Sequence, residues 1–179
     1  MPKKFLLVDR DGTLIVEKNY LHDPAEVELF PGTAEALAEA REQGWGIVCV
    51  TNQAGVGRGY FPESDVIAVN QRVEEFLNEN GASIDRYYYC IDHPDTPSDH
   101  RKPAPGMALD AAKDFDIDLS ASIVIGDKPC DIELGQAVSA KTVLVRTGYG
   151  AKHETAQDCS PDFIIDSIAD LSAILNQFP

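Results

Sequence analysis

Two acids directly after the first apolar run constrain the fold of this chain more than any other feature. Phe5–Val8 has no polar interruption, which indicates a strand buried on both faces of a sheet. Asp9 and Asp11 follow it, and side chains two residues apart on an extended chain point the same way. Two carboxylates that converge at the end of a buried strand need a cation such as Mg²⁺, or a shared proton. The alternative is that Asp9 caps the next segment and Asp11-Gly12 is only a turn.

The rest of the chain alternates strand patterns with helix patterns. Strands are predicted at residues 5–8, 46–50, 86–91, 122–125, 142–145 and 163–165. Helices are predicted at residues 33–43, 62–80, 106–115, 130–139 and 168–177. This alternation predicts an α/β fold of three layers, a Rossmann-like and mostly parallel sheet with helices on both faces. No segment between the elements is long enough for a second domain, so we expect a single domain over residues 1–179.

Composition narrows the classes of partner. The net charge of −15 argues against a surface that coats nucleic acid, although a small anionic ligand needs only a few local cations. No apolar run reaches the length of a membrane span. The four cysteines are widely spaced and include no C-x-x-C pair, as expected in a reduced compartment. We therefore expect a cytoplasmic protein that binds neither nucleic acid nor membranes and, since no feature specifies an oligomer, a monomer.

Polar residues also follow the second predicted strand. Thr51 and Asn52 supply a hydroxyl and an amide that could bind a phosphoryl oxygen, although the pair also fits an ordinary turn. A glycine-rich loop at residues 54–59 follows and contributes one cation, Arg58, which makes it a candidate for binding an anionic substrate. The loop matches neither the P-loop nor the full dinucleotide pattern, so taken alone it is a weak signal.

Cations and further acids stand at the later strand and helix boundaries. Arg101 and Lys102 precede a helix start and form a candidate anion site, although they also fit a solvated basic pair in a proline-rich turn. Asp127 follows the fourth strand, where it could also be a helix cap, and Asp131 could cap or position Lys128. Because the carboxyl ends of parallel strands meet at one sheet edge, we expect these groups to converge. Acids, a hydroxyl and cations together are what phosphoryl transfer needs.

In these positions the chain resembles the haloacid dehalogenase superfamily of phosphohydrolases. The matching motifs are Asp9-x-Asp11-Gly12-Thr13, Thr51 after the second strand, Lys102 before a helix, and Gly126-Asp127-x-x-x-Asp131 after the fourth strand. The resemblance implies that Asp9 is the nucleophile and that Asp11 is the general acid and then the general base. It implies that Thr51 and Lys102 hold the phosphoryl group. It also implies that Asp9, the backbone carbonyl of Asp11, and Asp127 hold Mg²⁺.

Longer strings resemble the heptose 1,7-bisphosphate phosphatases and the related histidinol-phosphatases. They are Asp9-Arg10-Asp11-Gly12-Thr13, Thr51-Asn52-Gln53-x-Gly55-x-x-Arg58-Gly59, Tyr88-Tyr89-Cys90, Arg101-Lys102-Pro103-x-Pro105-Gly106-Met107 and Val145-Arg146-Thr147-Gly148. This resemblance implies a fold without a large cap domain, substrate contacts from Asn52 and Arg101, and support of the metal-phosphate site by Lys128. It implies removal of the 7-phosphate from heptose 1,7-bisphosphate. Histidinol phosphate is the alternative substrate, and a catalytically silent sugar-phosphate-binding protein is the alternative class.

One loop departs from the pattern of these phosphatases, many of which carry a structural zinc before the Arg-Lys-Pro string. Cys90 is retained, but Asp92 stands where the pattern has His, and Ser98 and His100 replace the two later cysteines. Because a zinc site needs four suitable ligands, we expect no structural zinc here. A site drawn from Cys90, His93 and His100 with Asp92 or Asp99 is the alternative.

Overall fold

The computed structural model describes residues 3–178, in which six strands alternate with helices. The strands are β1 (Phe5–Val8), β2 (Gly46–Asn52), β3 (Arg86–Cys90), β4 (Ile123–Gly126), β5 (Lys141–Val145) and β6 (Phe163–Ile165). The helices are α1 (Thr33–Glu42), α2 (Ala54–Gly57), α3 (Glu63–Glu79), α4 (Gly106–Phe115), α5 (Pro129–Ala137), α6 (Gly150–Ala156) and α7 (Ser172–Leu175). Within the described residues, no helix combines the length and the apolar character that a membrane crossing requires.

All six strands pair in parallel, and helices cover both faces of the sheet. Leu6 and Val8 of β1 pack into the core that includes α1, α3 and α7, whereas Leu7 packs into the core that includes α4 and α5. Alternate residues of one strand are therefore buried in opposite layers, as an apolar run without polar interruption requires. The predicted three-layer, Rossmann-like fold is confirmed.

The strand order places a crevice at the centre of the sheet. The order is β3-β2-β1-β4-β5-β6, so the chain builds outward from β1 on one side and then resumes at β4 on the other. Ligands bind α/β sheets at the carboxyl ends of the strands where the order reverses in this way. The backbone N–H of Asp9 donates to the carbonyl of Ile125 at 2.9 Å, which holds the ends of β1 and β4 together at this point.

Several local predictions differ from the observed elements. The second strand continues to Asn52, because its last residues still pair with β3. Residues 54–57 form the short helix α2 rather than part of an open loop. The helix α6 was not predicted, because it buries only Gly150 and so lacks an apolar period. The predicted last helix is divided into a 3₁₀ turn, Ile168–Asp170, and α7.

Candidate active site

The carboxyl ends of β1 and β2 open into a cavity of about 360 Å³. Most of the predicted site residues line it, namely Asp9, Asp11, Thr51, Asn52, Arg58, Arg101, Lys102 and Lys128. Asp127 is fully buried directly after β4, with one carboxylate oxygen 3.9 Å from the ammonium of Lys128. The structure therefore brings the predicted groups together at one edge of the sheet, although they come from five separate stretches of sequence.

Asp9, Lys102 and Asp131 form a buried charge cluster on the floor of the cavity. The ammonium of Lys102 donates to Oδ1 of Asp9 at 2.8 Å, to Oδ1 of Asp131 at 2.6 Å and to the carbonyl of Val50 at 2.7 Å. Its three protons thus have three acceptors, as a buried ammonium requires. Any direct contact between Lys102 and a phosphoryl oxygen would therefore replace or share one of these bonds.

The pKa values in this cluster reflect competition between burial and charge. Burial alone would raise the pKa of Asp9, but the charges of Lys102 and Lys128 outweigh it and hold that pKa below its ordinary value. Burial alone would lower the pKa of Lys102, yet Asp131 and Asp9 raise that pKa well above its usual range. The electrostatics therefore favour an ionised Asp9 opposite a cationic Lys102, which is the state a carboxylate nucleophile needs.

The two carboxylate oxygens of Asp127 differ in their contacts, since one accepts a hydrogen bond and the other has only the Lys128 ammonium at 3.9 Å. Oδ2 accepts a hydrogen bond from the backbone N–H of Tyr149 at 2.8 Å, whereas the buried Oδ1 has no hydrogen-bond partner. Burial, followed by the charge of Asp9, raises the pKa of Asp127 to about 8. A buried carboxylate oxygen without a hydrogen bond is costly, and a bound cation would compensate for the missing bond.

The chemistry of the donors fits a hard divalent cation. Among residues 3–178, carboxylate oxygens of Asp9, Asp127 and Asp131 lie within 4.8 Å of one another and form the one such acidic group. The two oxygens of Asp131 already accept bonds from the Lys102 ammonium and from the backbone N–H of Lys128. Asp9 and Asp127 are therefore the side chains best placed to bind a cation, and oxygen ligands suit Mg²⁺.

The loop after β5 fixes the position of Asp127. Thr147 Oγ1 donates to the carbonyl of Gly12 at 2.7 Å, and this bond holds the loop against the turn that follows Asp11. A Cβ atom at either Gly12 or Gly148 would overlap the Asp127 carboxylate. Both glycines are also at positive φ, so the close approach and the backbone conformation each require glycine.

Asp11 is held by two neighbours that the sequence analysis did not select. Arg10 donates from Nε to Oδ2 of Asp11 at 3.0 Å, and Gln53 donates from Nε2 to the same oxygen at 2.9 Å. Gln53 also donates to Thr51 Oγ1 at 2.9 Å, which leaves the Thr51 hydroxyl proton available for another acceptor. Both residues belong to the longer strings quoted above, but their side-chain direction was not evident from the sequence.

The predicted substrate-binding residues differ in whether their polar groups already have partners within the protein. Asn52 accepts from the backbone N–H of Lys102 at 2.9 Å and donates to its carbonyl at 3.1 Å, so its amide braces the loop. Nη1 of Arg101 is buried without a hydrogen-bond partner, and Arg58 is exposed at the rim. Lys128 lies 3.5 Å from Glu17 and 5.0 Å from the centre of the Tyr149 ring.

Asp131 is the main site residue missing from the predicted set. The sequence analysis considered it only as a cap or positioning group for Lys128, and its Oδ2 does accept from the Lys128 backbone N–H at 3.1 Å. Its ion pair with Lys102 was not foreseen. The motif spacing that relates Asp127 to Asp131, one helical turn apart, was the available signal.

The loop that departs from the zinc pattern is organised by hydrogen bonds. Cys90 Sγ contacts Asp92 Oδ2 at 3.4 Å and Ser98 Oγ at 3.6 Å. His93 accepts from the backbone N–H of Asp95 at 3.1 Å, and His100 pairs with a carboxylate of α4 at 2.9 Å. Cys90, His93 and His100, three residues of the alternative zinc site, therefore each contact different groups.

Comparison with known proteins shows which family this chain resembles. Residues 100–171 match the HAD-hydrolase-like family model. The D-glycero-beta-D-manno-heptose-1,7-bisphosphate 7-phosphatase of Photorhabdus laumondii is 38% identical, over 96% of this chain and 93% of its own length. The D-glycero-D-manno-heptose-1,7-bisphosphate 7-phosphatase of Chlorobaculum tepidum is 42% identical, over 92% of this chain and 90% of its own length.

Comparison with a solved structure points to the same family as these sequence relatives. The D,D-heptose 1,7-bisphosphate phosphatase of B. bronchiseptica, crystallised with magnesium and phosphate, superposes with a TM-score of 0.90 at 30% identity. The superposition covers 97% of this chain and 98% of that one. The chain therefore belongs to the D-glycero-D-manno-heptose-1,7-bisphosphate 7-phosphatase family of HAD-like phosphatases.

Proposed function

We propose that this protein is a Mg²⁺-dependent phosphomonoesterase that removes the 7-phosphate of D-glycero-D-manno-heptose 1,7-bisphosphate through an aspartyl-phosphate intermediate. The observation that carries the proposal is the floor of the cavity. There the ionised carboxylate of Asp9 is paired with Lys102 and lies beside Asp127, whose buried Oδ1 has no hydrogen-bond partner. A carboxylate nucleophile next to a cation site suits attack on a phosphate ester.

In the first step, a carboxylate oxygen of Asp9 attacks phosphorus, and the bond from phosphorus to the sugar oxygen breaks. Asp11 gives a proton to that departing oxygen, which leaves as a sugar hydroxyl. In the second step, a water oxygen attacks phosphorus while Asp11 takes a proton from the water. The bond between Asp9 and phosphorus then breaks, and inorganic phosphate leaves.

The remaining residues of the floor orient these reactants. Thr51 accepts a hydrogen bond from Gln53, so its own hydroxyl proton can be donated to a phosphoryl oxygen. Lys102 holds Asp9 and balances its negative charge during the transfer. Asp9, Asp127 and the backbone carbonyl of Asp11 would hold Mg²⁺, supported by Lys128. When bound, the metal supplies positive charge that stabilises the phosphoryl oxygens in the transition state.

The cations on the cavity walls favour a substrate with more than one anionic group. Arg101 has a buried, unpartnered Nη1, and Arg58 supplies a second cation at the exposed rim. Asn52 holds the backbone of the residue after Arg101 and so helps place it. These cations are additional to those of the cavity floor, and they suit a bisphosphate better than a simple monophosphate.

A phosphate-release screen tests the proposal. The protein is assayed with Mg²⁺ on heptose 1,7-bisphosphate, histidinol phosphate and a panel of other sugar phosphates. We expect the highest kcat/KM on heptose bisphosphate and loss of turnover in Asp9→Asn, because an amide cannot act as the nucleophile. A preference for histidinol phosphate would change the proposed substrate but not the proposed reaction. Binding without turnover on every compound would favour a silent sugar-phosphate-binding protein.

We further propose that residues 1–179 act as one domain, as a monomer, in the cytoplasm, without a structural zinc and without nucleic-acid or membrane partners. The continuous six-stranded sheet supports the single domain. The four free cysteines support a reducing compartment, and the net charge of −15 speaks against a nucleic-acid partner. Light scattering tests the oligomeric state, metal analysis tests for zinc, and cell fractionation tests the location.

A further inference from the structure

A fully buried arginine lies between the proposed nucleophile and the proposed acid. Arg10 has no exposed surface, although it stands between Asp9 and Asp11 in the sequence. Its Nη1 donates to Oδ1 of Asn70 at 2.8 Å, and Asn70 is a buried polar residue on α3. The other side of the guanidinium faces Asp11, with Nε at 3.0 Å from Oδ2 and Nη2 at 3.4 Å from Oδ1.

These contacts form a continuous chain from α3 to the floor of the cavity. Asn70 holds Arg10, Arg10 contacts both oxygens of Asp11, and Gln53 donates to one of those oxygens at 2.9 Å. A planar guanidinium that meets both oxygens of a carboxylate fixes the plane of that carboxylate as well as its distance. The second donor, Gln53, removes the remaining freedom of rotation.

We propose that Arg10 and Asn70 are positioning residues that hold Asp11 in the orientation it needs for proton transfer to the leaving oxygen. The inference rests on the proposed function, in which Asp11 is the acid. Neither residue lines the cavity, so neither acts by touching the substrate. Asn70 acts through Arg10, and Arg10 acts through Asp11.

The role of Asn70 follows from the burial of its partner. A buried guanidinium must have its N–H groups paired, and Asn70 is the acceptor for the Nη1 side that points away from Asp11. Without that acceptor, the Arg10 guanidinium would reorient toward another acceptor, or a water molecule would enter to accept its hydrogen bond. Asp11 would then lose the planar contact, and proton transfer is sensitive to displacements of this size.

A substitution on α3 with a matched control tests this. Asn70→Leu removes the acceptor, Asn70→Asp keeps an acceptor oxygen in the same place, and Gln71→Leu makes the same type of change on an exposed neighbour. Asn70→Ala removes the acceptor without adding bulk and replaces Asn70→Leu if that variant does not fold. Circular dichroism and thermal unfolding establish which variants are folded.

The readout is kcat/KM on two classes of phosphate monoester. One is the alkyl phosphate that the parent hydrolyses fastest in the sugar-phosphate panel, whose leaving oxygen needs a proton. The other is p-nitrophenyl phosphate, whose leaving group departs without one. Because kcat/KM reports the steps up to the departure of the leaving group, only a defect in proton donation lowers the alkyl value selectively.

We expect Asn70→Leu to lower kcat/KM on the alkyl phosphate by about tenfold to a hundredfold and on p-nitrophenyl phosphate by less than about threefold. Asn70→Asp and Gln71→Leu should stay within about threefold of the parent on both. Equal losses on both substrates, or no loss, would reject the positioning role and leave the proposed function standing. Normal turnover by Asp9→Asn would instead reject the proposed function.

Discussion

The ammonium of Lys102 lies 2.6 Å from Oδ1 of Asp131, closer than the 2.8 Å that separates it from Oδ1 of Asp9. The lysine is therefore shared between the nucleophile and a second buried acid. This sharing matters because a lysine paired with Asp9 alone would hold the attacking carboxylate more tightly. Asp131 also caps α5 through the Lys128 backbone N–H, so it joins the helix to the charge cluster.

We expect Asp131→Asn to lower kcat by about tenfold to a hundredfold, because Lys102 then pairs chiefly with Asp9. The amide also cannot accept from both donors that Asp131 now serves, so the free energy of unfolding should fall by about 2 to 4 kcal/mol. Steady-state kinetics and urea unfolding measure the two effects. Glu133→Gln, on the exposed side of α5, is the control and should change neither. An unchanged kcat in Asp131→Asn would contradict the shared role of Lys102.

Gly148→Ala should weaken magnesium binding. Its Cβ would overlap the carboxylate of Asp127 and displace a proposed metal ligand, in addition to the strain of a positive φ of 57°. We expect the Mg²⁺ concentration for half-maximal activity to rise by about tenfold or more. Gly81→Ala is the matched control, since Gly81 has a φ of 77° but open space around its Cα. If both variants needed the same Mg²⁺ concentration, the contact with Asp127 would not position the metal.

The metal-free protein should lose stability as the pH rises from about 4 to 8. The folded-state pKa of Asp127 is raised to about 8 from an ordinary value of 3.8, so in this interval the folded state binds more protons than the unfolded chain. The free energy of unfolding then falls with pH, and Asp127 alone contributes up to about 1.4 kcal/mol per pH unit. Burial raises the pKa of Asp131 in the same direction, whereas the lowered pKa of Asp9 acts only below this interval.

Urea unfolding in EDTA at several pH values between 5 and 8 measures this slope. Asp127→Asn should flatten it, because the variant has no titrating group at that position. Added Mg²⁺ should stabilise the parent most at the upper end of the interval, since the metal binds the ionised carboxylate. A parent slope identical to that of Asp127→Asn would mean that Asp127 does not titrate in this range.

Arg101→Met should raise KM while leaving kcat within a few-fold of the parent. The buried Nη1 of Arg101 has no partner in the protein, so its expected partner is an anionic group of the substrate away from the reacting phosphate. We expect KM for heptose bisphosphate to rise by about tenfold to a hundredfold. Arg72→Met on α3 makes the same change outside the cavity and should leave KM unchanged. A fall in kcat with unchanged KM would place Arg101 in the chemical step instead.

Much of the site was predictable because its residues stand directly after apolar runs. Asp9 and Asp127 each follow a buried strand, and Thr51 is near the end of another, so a parallel sheet brings all three to one edge. Burial on both faces makes such strands evident as uninterrupted apolar runs. The polar helix α6 was missed for the opposite reason, because it has no apolar face to mark it.

The pairings within the site were not predictable in the same way. Asp131 has the spacing of a helix cap, and its partner Lys102 lies 29 residues earlier in the chain. Asn70 lies on α3 among core residues such as Val69 and Val73, and no local pattern distinguishes it as the partner of Arg10. Both pairings depend on how a helix is rotated against the sheet.

By itself, the sequence determined the alternation of strands and helices, the parallel sheet and the edge at which the acids collect. These follow from burial and from the short spacing of residues along each element. The tertiary structure decided which charge pairs with which, since Lys102 is 93 residues from Asp9 and Asn70 is 60 residues from Arg10. Packing of the helices on the sheet sets these distances, and buried charges and polar groups are stable only where packing provides their partners.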